Sequence, residues 1–320
     1  MRLVTFSRNG RPRIGLWIRD DVVDLLNAFE YLFPEKTSRA ETPASMIEFL
    51  RLGDLAMGMA RSVEEATHDG RLPEGSFPVN KVRLLAPVPW PGKILAVDYN
   101  YPSFIDDARR YLERQGVTVP EWHIPKHPWI FGKYSTTVMG PGTSILRPAH
   151  TETLDAEGEL AIVIGKHARF VPESEALTYV AGYTLFNDVS DRAVEFRPSP
   201  SINHRLYCLG KNNDTFGPLG PALFTPDELG DVRSRTIEVL YNGDVLYRYR
   251  VGDAAYGVEA LVSFCSHLFE LEPGDIIAMG SGGGCGAFHE PAVYLKTGDI
   301  VRVQIPGLPS LDNPVEDEVV

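Results

Sequence analysis

The chain has 320 residues, 43% of them hydrophobic, and sets 43 acidic side chains against 31 basic ones for a net charge of -12. That balance, with no dense Lys or Arg cluster, argues against an electrostatic surface for nucleic acid or anionic membrane, and no apolar run nears the roughly 20 residues needed to span a bilayer. Three widely spaced cysteines, Cys208, Cys265 and Cys285, make neither a disulfide framework nor a zinc ribbon, and Met1–Phe6 lacks a signal-peptide pattern, so a cytosolic (cytoplasmic) location is expected.

In chain order, apolar patterning predicts strands at Leu3–Phe6, Ile14–Ile18 and Val22–Leu25, then helical periodicity over Ser45–Ala66. The Gly- and Pro-rich stretch 70–78, and Pro87, Pro89 and Pro91 after the strand-like Val82–Leu85, place a boundary near residue 80. The expected organisation is a small N-terminal α/β domain (1–80) and a larger, mostly β domain (81–320), α+β overall. A helix is predicted at Ser103–Arg114, with Phe104, Ala108, Tyr111 and Leu112 as its apolar face and Asp106/Arg110 and Arg109/Glu113 paired four residues apart. A second is predicted at Val258–Phe269. Two Gly-Asp turns, at Gly274-Asp275 and Gly298-Asp299, each precede a β-branched run, as in successive strands of a rolled or barrel-like sheet. The acidic end, Asp312–Val320, is expected to be loose.

Glu157 and Glu159 stand at the head of the apolar run Leu160–Ile164, two residues apart and therefore on one face of a strand. Taken alone they fit an exposed strand edge equally well. However, Leu160, Ile162 and Ile164 on one side, and Ala161, Val163 and Gly165 on the other, make both faces read as buried. Buried paired carboxylates need a counter-charge. Asp188, at the end of the apolar run Tyr179–Phe186, adds a third acidic group, and three hard oxygen donors suit Mg²⁺, Mn²⁺ or Ca²⁺.

Four stretches carry further specificity: Asp155-x-Glu157-x-Glu159-Leu160; Gly182-Tyr183-Thr184 leading to Asn187-Asp188-x-Ser190-x-Arg192; Gly210-Lys211-x-x-Asp214-Thr215-Phe216 running to Pro221; and Pro273-Gly274-Asp275-x-Ile277 with a following Gly run. In order and spacing, from about residue 80 to the C-terminus, they resemble the fumarylacetoacetate hydrolase family. The resemblance implies a rolled β-sheet or β-sandwich catalytic domain, a homodimer, Mg²⁺ or Mn²⁺ as cofactor, and a 2-oxo or 1,3-diketo acid as substrate. Carried over by position, Glu157, Glu159 and Asp188 become the metal ligands and Lys211 a catalytic group at the substrate's developing negative charge. Tyr101, Thr215 and Ser281 become substrate contacts. Arg192 becomes either another substrate contact or a salt-bridge partner of the acidic cluster.

One departure bears on the reaction. Family members commonly carry Asn-Tyr-x-x-His-x-x-Glu, whose His-Glu pair activates water, but here the stretch is Asn100-Tyr101-Pro102-Ser103-Phe104-Ile105-Asp106-Asp107. With Phe104 in the histidine position, Asp107 (or Asp106) and His123 (or His127) are the candidate replacement bases. Hydrolytic cleavage of a C–C bond in an acylpyruvate-like substrate is the first reading. A decarboxylase, isomerase or other lyase acting on a 2-oxo acid is the alternative, with a non-catalytic 2-oxo acid binding protein as a third. The Gly280–Gly286 run stands where the family places Gly-Thr-Pro, and opens no helix as a dinucleotide loop would. The pocket walls are expected from Glu195–Leu206 and Gly116–Trp129.

Overall fold

The strand Gly158–Ile164, every residue of it buried, lies near the middle of a twelve-stranded sheet. The computed structural model describes residues 1–35, 43–72, 75–117, 123–196 and 207–319, and counts of elements refer to these. Val180–Asn187 and Ile276–Ala278 flank the central strand, both antiparallel to it. Beyond Ile276–Ala278 come Ile94–Asp98, in parallel pairing, and Trp129–Lys133. On the other side, Gly217–Phe224 pairs with Val180–Asn187 and then with the N-terminal strand Arg2–Arg8, Leu3 lying opposite Leu223. The division expected near residue 80 therefore does not interrupt the sheet, because the N-terminal strands extend it.

The two sides of the central strand feed two cores. Leu160, Ile162 and Ile164 pack with Val239, Val301, Val303 and the helix Val258–Leu268, whereas Ala161 and Val163 pack with residues of the helices Leu25–Leu32, Met46–Arg51 and Asp54–His68. The periodicity over Ser45–Ala66 becomes two helices because Gly53 breaks it with φ +57°. A second sheet, of five strands, runs in the order Asp244–Arg250, Thr236–Tyr241, Ile300–Gln304, Leu311–Asp317, Ile145–Arg147. It meets the first at Gly158, where a Cβ would stand 2.4 Å from Val239 Cγ2.

Two expectations need correction. The acidic tail is not loose: Leu311, Asn313 and Val315 alternate inward along a paired strand, while its charges face outward. Arg110 pairs with Asp107, three residues away, rather than with Asp106, although Arg109 and Glu113 do pair at 3.6 Å. No described helix is long and apolar enough to cross a membrane.

Candidate active site

Strand pairing delivers the carboxylates to one place. Gly158 lies opposite Asn187, and the short strands Leu154–Asp155 and Ser190–Asp191 pair antiparallel, so the ends of two buried strands turn over each other. The Glu157 amide donates to Asn187 Oδ1 at 3.1 Å and the Asp188 amide to the Glu157 carbonyl at 2.8 Å. As a result Glu157, Glu159 and Asp188, all buried, bring carboxylate oxygens within 4.8 Å of one another.

Cations crowd one side of this group. Lys211 Nζ donates to Asp188 Oδ2 and to Ser190 Oγ, each at 2.7 Å, and lies 3.2 Å from Glu157 Oε1 and 3.7 Å from Glu195 Oε1. Lys133 Nζ lies 2.7 Å from Asp188 Oδ1 and donates to the Lys211 carbonyl. Arg192, with no exposed side-chain surface, donates from Nε to Asp155 Oδ2 at 2.9 Å and from Nη1 to Glu195 Oε2 at 3.0 Å and to Glu157. Asp155 is further held by the amides of Ala156, Gly286 and Ala287. Asp191, also buried, turns instead to Thr153 and His150.

Among the described residues, five linked buried carboxylates (Asp155, Glu157, Glu159, Asp188, Glu195) gather with the buried cations Lys133, Arg192 and Lys211. Burial first, then Asp188 and Glu157, push the Glu159 carboxyl well above the ordinary range. Burial also raises Glu157, against the pull of Lys211 and Arg192. Burial would raise Asp188 too, but Lys133 and Lys211 outweigh it and hold that carboxyl below the usual value. Of the two lysines, burial lowers Lys133, whereas for Lys211 the carboxylates of Asp188, Glu157 and Glu195 overcome burial and hold the proton more firmly. An all-oxygen donor set of three buried carboxylates fits a hard divalent ion held by Glu157, Glu159 and Asp188.

The remaining sequence candidates are placed as follows. Phe104, 3% exposed, packs edge-on between Tyr99 and Phe288 with ring centroids 6.2 and 5.2 Å away. Asp107 accepts from the Gly284 amide at 2.7 Å and pairs with Arg110, so its carboxylate anchors the Gly run. His123 is exposed, and His127 stacks on Phe264. The Tyr101 ring is buried 4.8 Å from that of Tyr249, and burial and Glu159 raise the Tyr101 phenol. Ser281 is buried with its hydroxyl 3.0 Å from that of Tyr247. The Thr215 hydroxyl accepts from the Leu146 amide at 2.8 Å. Arg192 meets three carboxylates of the cluster, the salt-bridge reading of that residue. Residues 118–122 and 197–206, parts of the two expected pocket walls, lie outside the described residues.

Sequence reasoning missed Lys133 and Glu195. Lys133 ends an otherwise ordinary edge strand, and Glu195 falls three residues after Arg192, a helical spacing that would have suggested the pair. The role of Asp155 was readable only as the first letter of the acidic motif.

The sequence profile described as Fumarylacetoacetate (FAA) hydrolase C-terminal matches residues 93–316. The chain is 35% identical over 319 residues to the mitochondrial oxaloacetate tautomerase fahd2 of Xenopus laevis, covering 98% of this chain and 90% of that one. It is 32% identical to the fumarylacetoacetate hydrolase domain-containing protein 2 homolog of Dictyostelium discoideum, covering 99% and 97%. Among solved structures, it is similar to maleylpyruvate hydrolase from Sphingobium sp. SYK-6 in complex with manganese(II) and pyruvate, with TM-score 0.73, 26% identity and full coverage of both chains. It is also similar to the fumarylacetoacetate hydrolase of Exiguobacterium antarcticum, with TM-score 0.74, 28% identity and 99% and 100% coverage.

Proposed function

The chain belongs to the fumarylacetoacetate hydrolase family, and on that premise we propose that it is a divalent-metal-dependent tautomerase of a 2-oxo dicarboxylic acid of the oxaloacetate kind, moving a proton between carbon 3 and the carbon-2 oxygen without attack by water. The observation that carries this reading is Phe104: a ring that can neither take nor give a proton is buried where the family pattern places a water-activating histidine, while the carboxylate cluster is complete. Tautomerisation needs no activated water. The names of relatives at 34–35% identity over nearly the whole chain, oxaloacetate tautomerases, support the same reading.

A divalent ion brings to such a site Lewis-acid polarisation of a chelated 2-oxo carboxylate. Glu157, Glu159 and Asp188 would hold it. Lys211, kept cationic by three carboxylates, places fixed positive charge where an enolate oxygen develops. Lys133, 2.7 Å from Asp188 Oδ1 and with its hold on a proton weakened by burial, is a buried amine available to accept the transferred proton. Phe104 and Phe288 exclude water from the side where a base would otherwise activate it.

Hydrolytic C–C cleavage is the second reading, favoured by the similarity to the maleylpyruvate hydrolase that holds manganese and pyruvate. It requires a base, and the carboxylate of Asp107 is already engaged by Gly284 and Arg110. The deciding experiment follows the ultraviolet absorbance of enol-oxaloacetate with Mg²⁺, Mn²⁺ or chelator, with pyruvate release from oxaloacetate and acid release from maleylpyruvate measured in parallel. Metal-dependent enol decay without either release is expected. Acylpyruvate cleavage at enzymatic rates with no effect on enol decay overturns the proposal.

A further inference from the structure

The second sheet reaches across to the turn that carries the carboxylates. Tyr247 and Tyr249 are two residues apart in the strand Asp244–Arg250, hence on one face, and both are buried. The Tyr247 hydroxyl accepts from the Gly158 amide at 3.0 Å and lies 3.3 Å from the Ala156 carbonyl and 3.0 Å from Ser281 Oγ. The Tyr249 hydroxyl donates toward the carbonyls of Gly158, at 2.8 Å, and Gly280, at 3.3 Å. Glu157 therefore sits between two residues whose backbone these hydroxyls fix. The Gly280 amide in turn donates to Glu159 Oε2 at 2.7 Å, so the hydroxyl that fastens Gly280 also fastens the second carboxylate. The Gly run leaves room for the rings: a Cβ at Gly282 would stand 2.3 Å from Tyr249 Cγ, and one at Gly284 2.6 Å from Tyr247 Cβ.

We propose that Tyr247 and Tyr249 are positioning residues that fix the backbone frame of Glu157 and Glu159, so that their hydroxyls set both the affinity of the site for a divalent ion and its preference for Mg²⁺ over Ca²⁺. This rests on the metal centre of the proposed function. The physical basis is that Mg²⁺ demands near-ideal oxygen geometry at about 2.1 Å, whereas Ca²⁺ accepts irregular sets at about 2.3–2.6 Å. Loosening the frame therefore penalises the smaller ion more.

The test titrates Mg²⁺ and Ca²⁺ calorimetrically into the full, substrate-free chain for Tyr247→Phe, Tyr249→Phe and the double variant. Exposed Tyr31→Phe serves as control, and circular dichroism melts check folding. Each single variant is expected to lose about tenfold in Mg²⁺ affinity, the usual scale for groups that orient ligands, and to lose distinctly less for Ca²⁺. If the double variant fails to fold, the single variants decide. Unchanged Mg²⁺ affinity in folded variants overturns the proposal, as does an equal loss for both ions. Absence of metal binding by the unsubstituted chain removes the metal reading and this inference together, whereas intact metal binding without tautomerase turnover touches the proposed reaction alone.

Discussion

Glu159→Gln should change stability in opposite directions with and without metal. Glu159 is 1% exposed, accepts one hydrogen bond from Gly280, and shares its 4.8 Å neighbourhood with Glu157 and Asp188. Two unit charges at that separation repel by about 3.5 kcal/mol at an effective dielectric of about 20. The nearby ammonium groups and partial protonation leave a smaller net relief, about 1–2 kcal/mol. An unfolding entropy of about 2.1 cal/mol/K per residue over this chain makes each kcal/mol worth about 1.5 °C, so the metal-free variant should melt about 1.5–3 °C higher than the parent. Metal at a hundred times its Kd stabilises the parent by about 2.7 kcal/mol, about 4 °C here. That increment should vanish in the variant, which keeps two of three ligands. Scanning calorimetry in chelator and across a Mn²⁺ titration reads both arms. A variant that melts below the parent in chelator, or that keeps the full Mn²⁺ shift at the same midpoint, would refute the assignment of Glu159 as a metal ligand.

Phe104→Leu should cost about 1–2 kcal/mol by loss of its ring contacts and leave enol decay nearly unchanged; a loss of kcat on the order of a hundredfold would show that the ring shapes the reaction itself. Asp107→Ala frees the Gly284 amide and should lower stability by about 1–2 kcal/mol while the pH–rate profile keeps both limbs, since disappearance of a limb would mark Asp107 as the base. Lys211→Met strips Asp188, Glu157 and Glu195 of a shared cation and should cost about 3–5 kcal/mol in urea unfolding; a cost under about 1 kcal/mol would mean that Lys133 and Arg192 suffice without it.

Several features were legible in the chain because they are local. Alternation over Leu160–Ile164 marked a strand buried on both faces, and the two faces do enter different cores. The helices predicted at Ser103–Arg114 and Val258–Phe269 appear at Pro102–Arg114 and Val258–Leu268. The tail was misread because its acidic residues masked the inward alternation of Leu311, Asn313 and Val315, which matters only once Ile300–Gln304 and Ile145–Arg147 lie on either side. The N-terminal unit was set apart by Gly- and Pro-rich punctuation, yet a strand edge pairs wherever its hydrogen bonds are met, and here that partner is Gly217–Phe224.

From the sequence alone came the three carboxylates on two strand ends, because residue type and short-range period determine which groups share a face, while Lys211 beside them and Phe104 in the place of a base followed from the resemblance to the family. Tertiary structure alone decided that Lys133 joins Lys211 on Asp188 from 78 residues earlier in the chain, that Arg192 is spent within the cluster, and that Asp107 anchors a glycine loop. It also set Tyr247 and Tyr249 against the turn that carries Glu157. Such partners are chosen by how two sheets pack and by the need to neutralise buried charge, neither of which leaves a periodic trace along the chain.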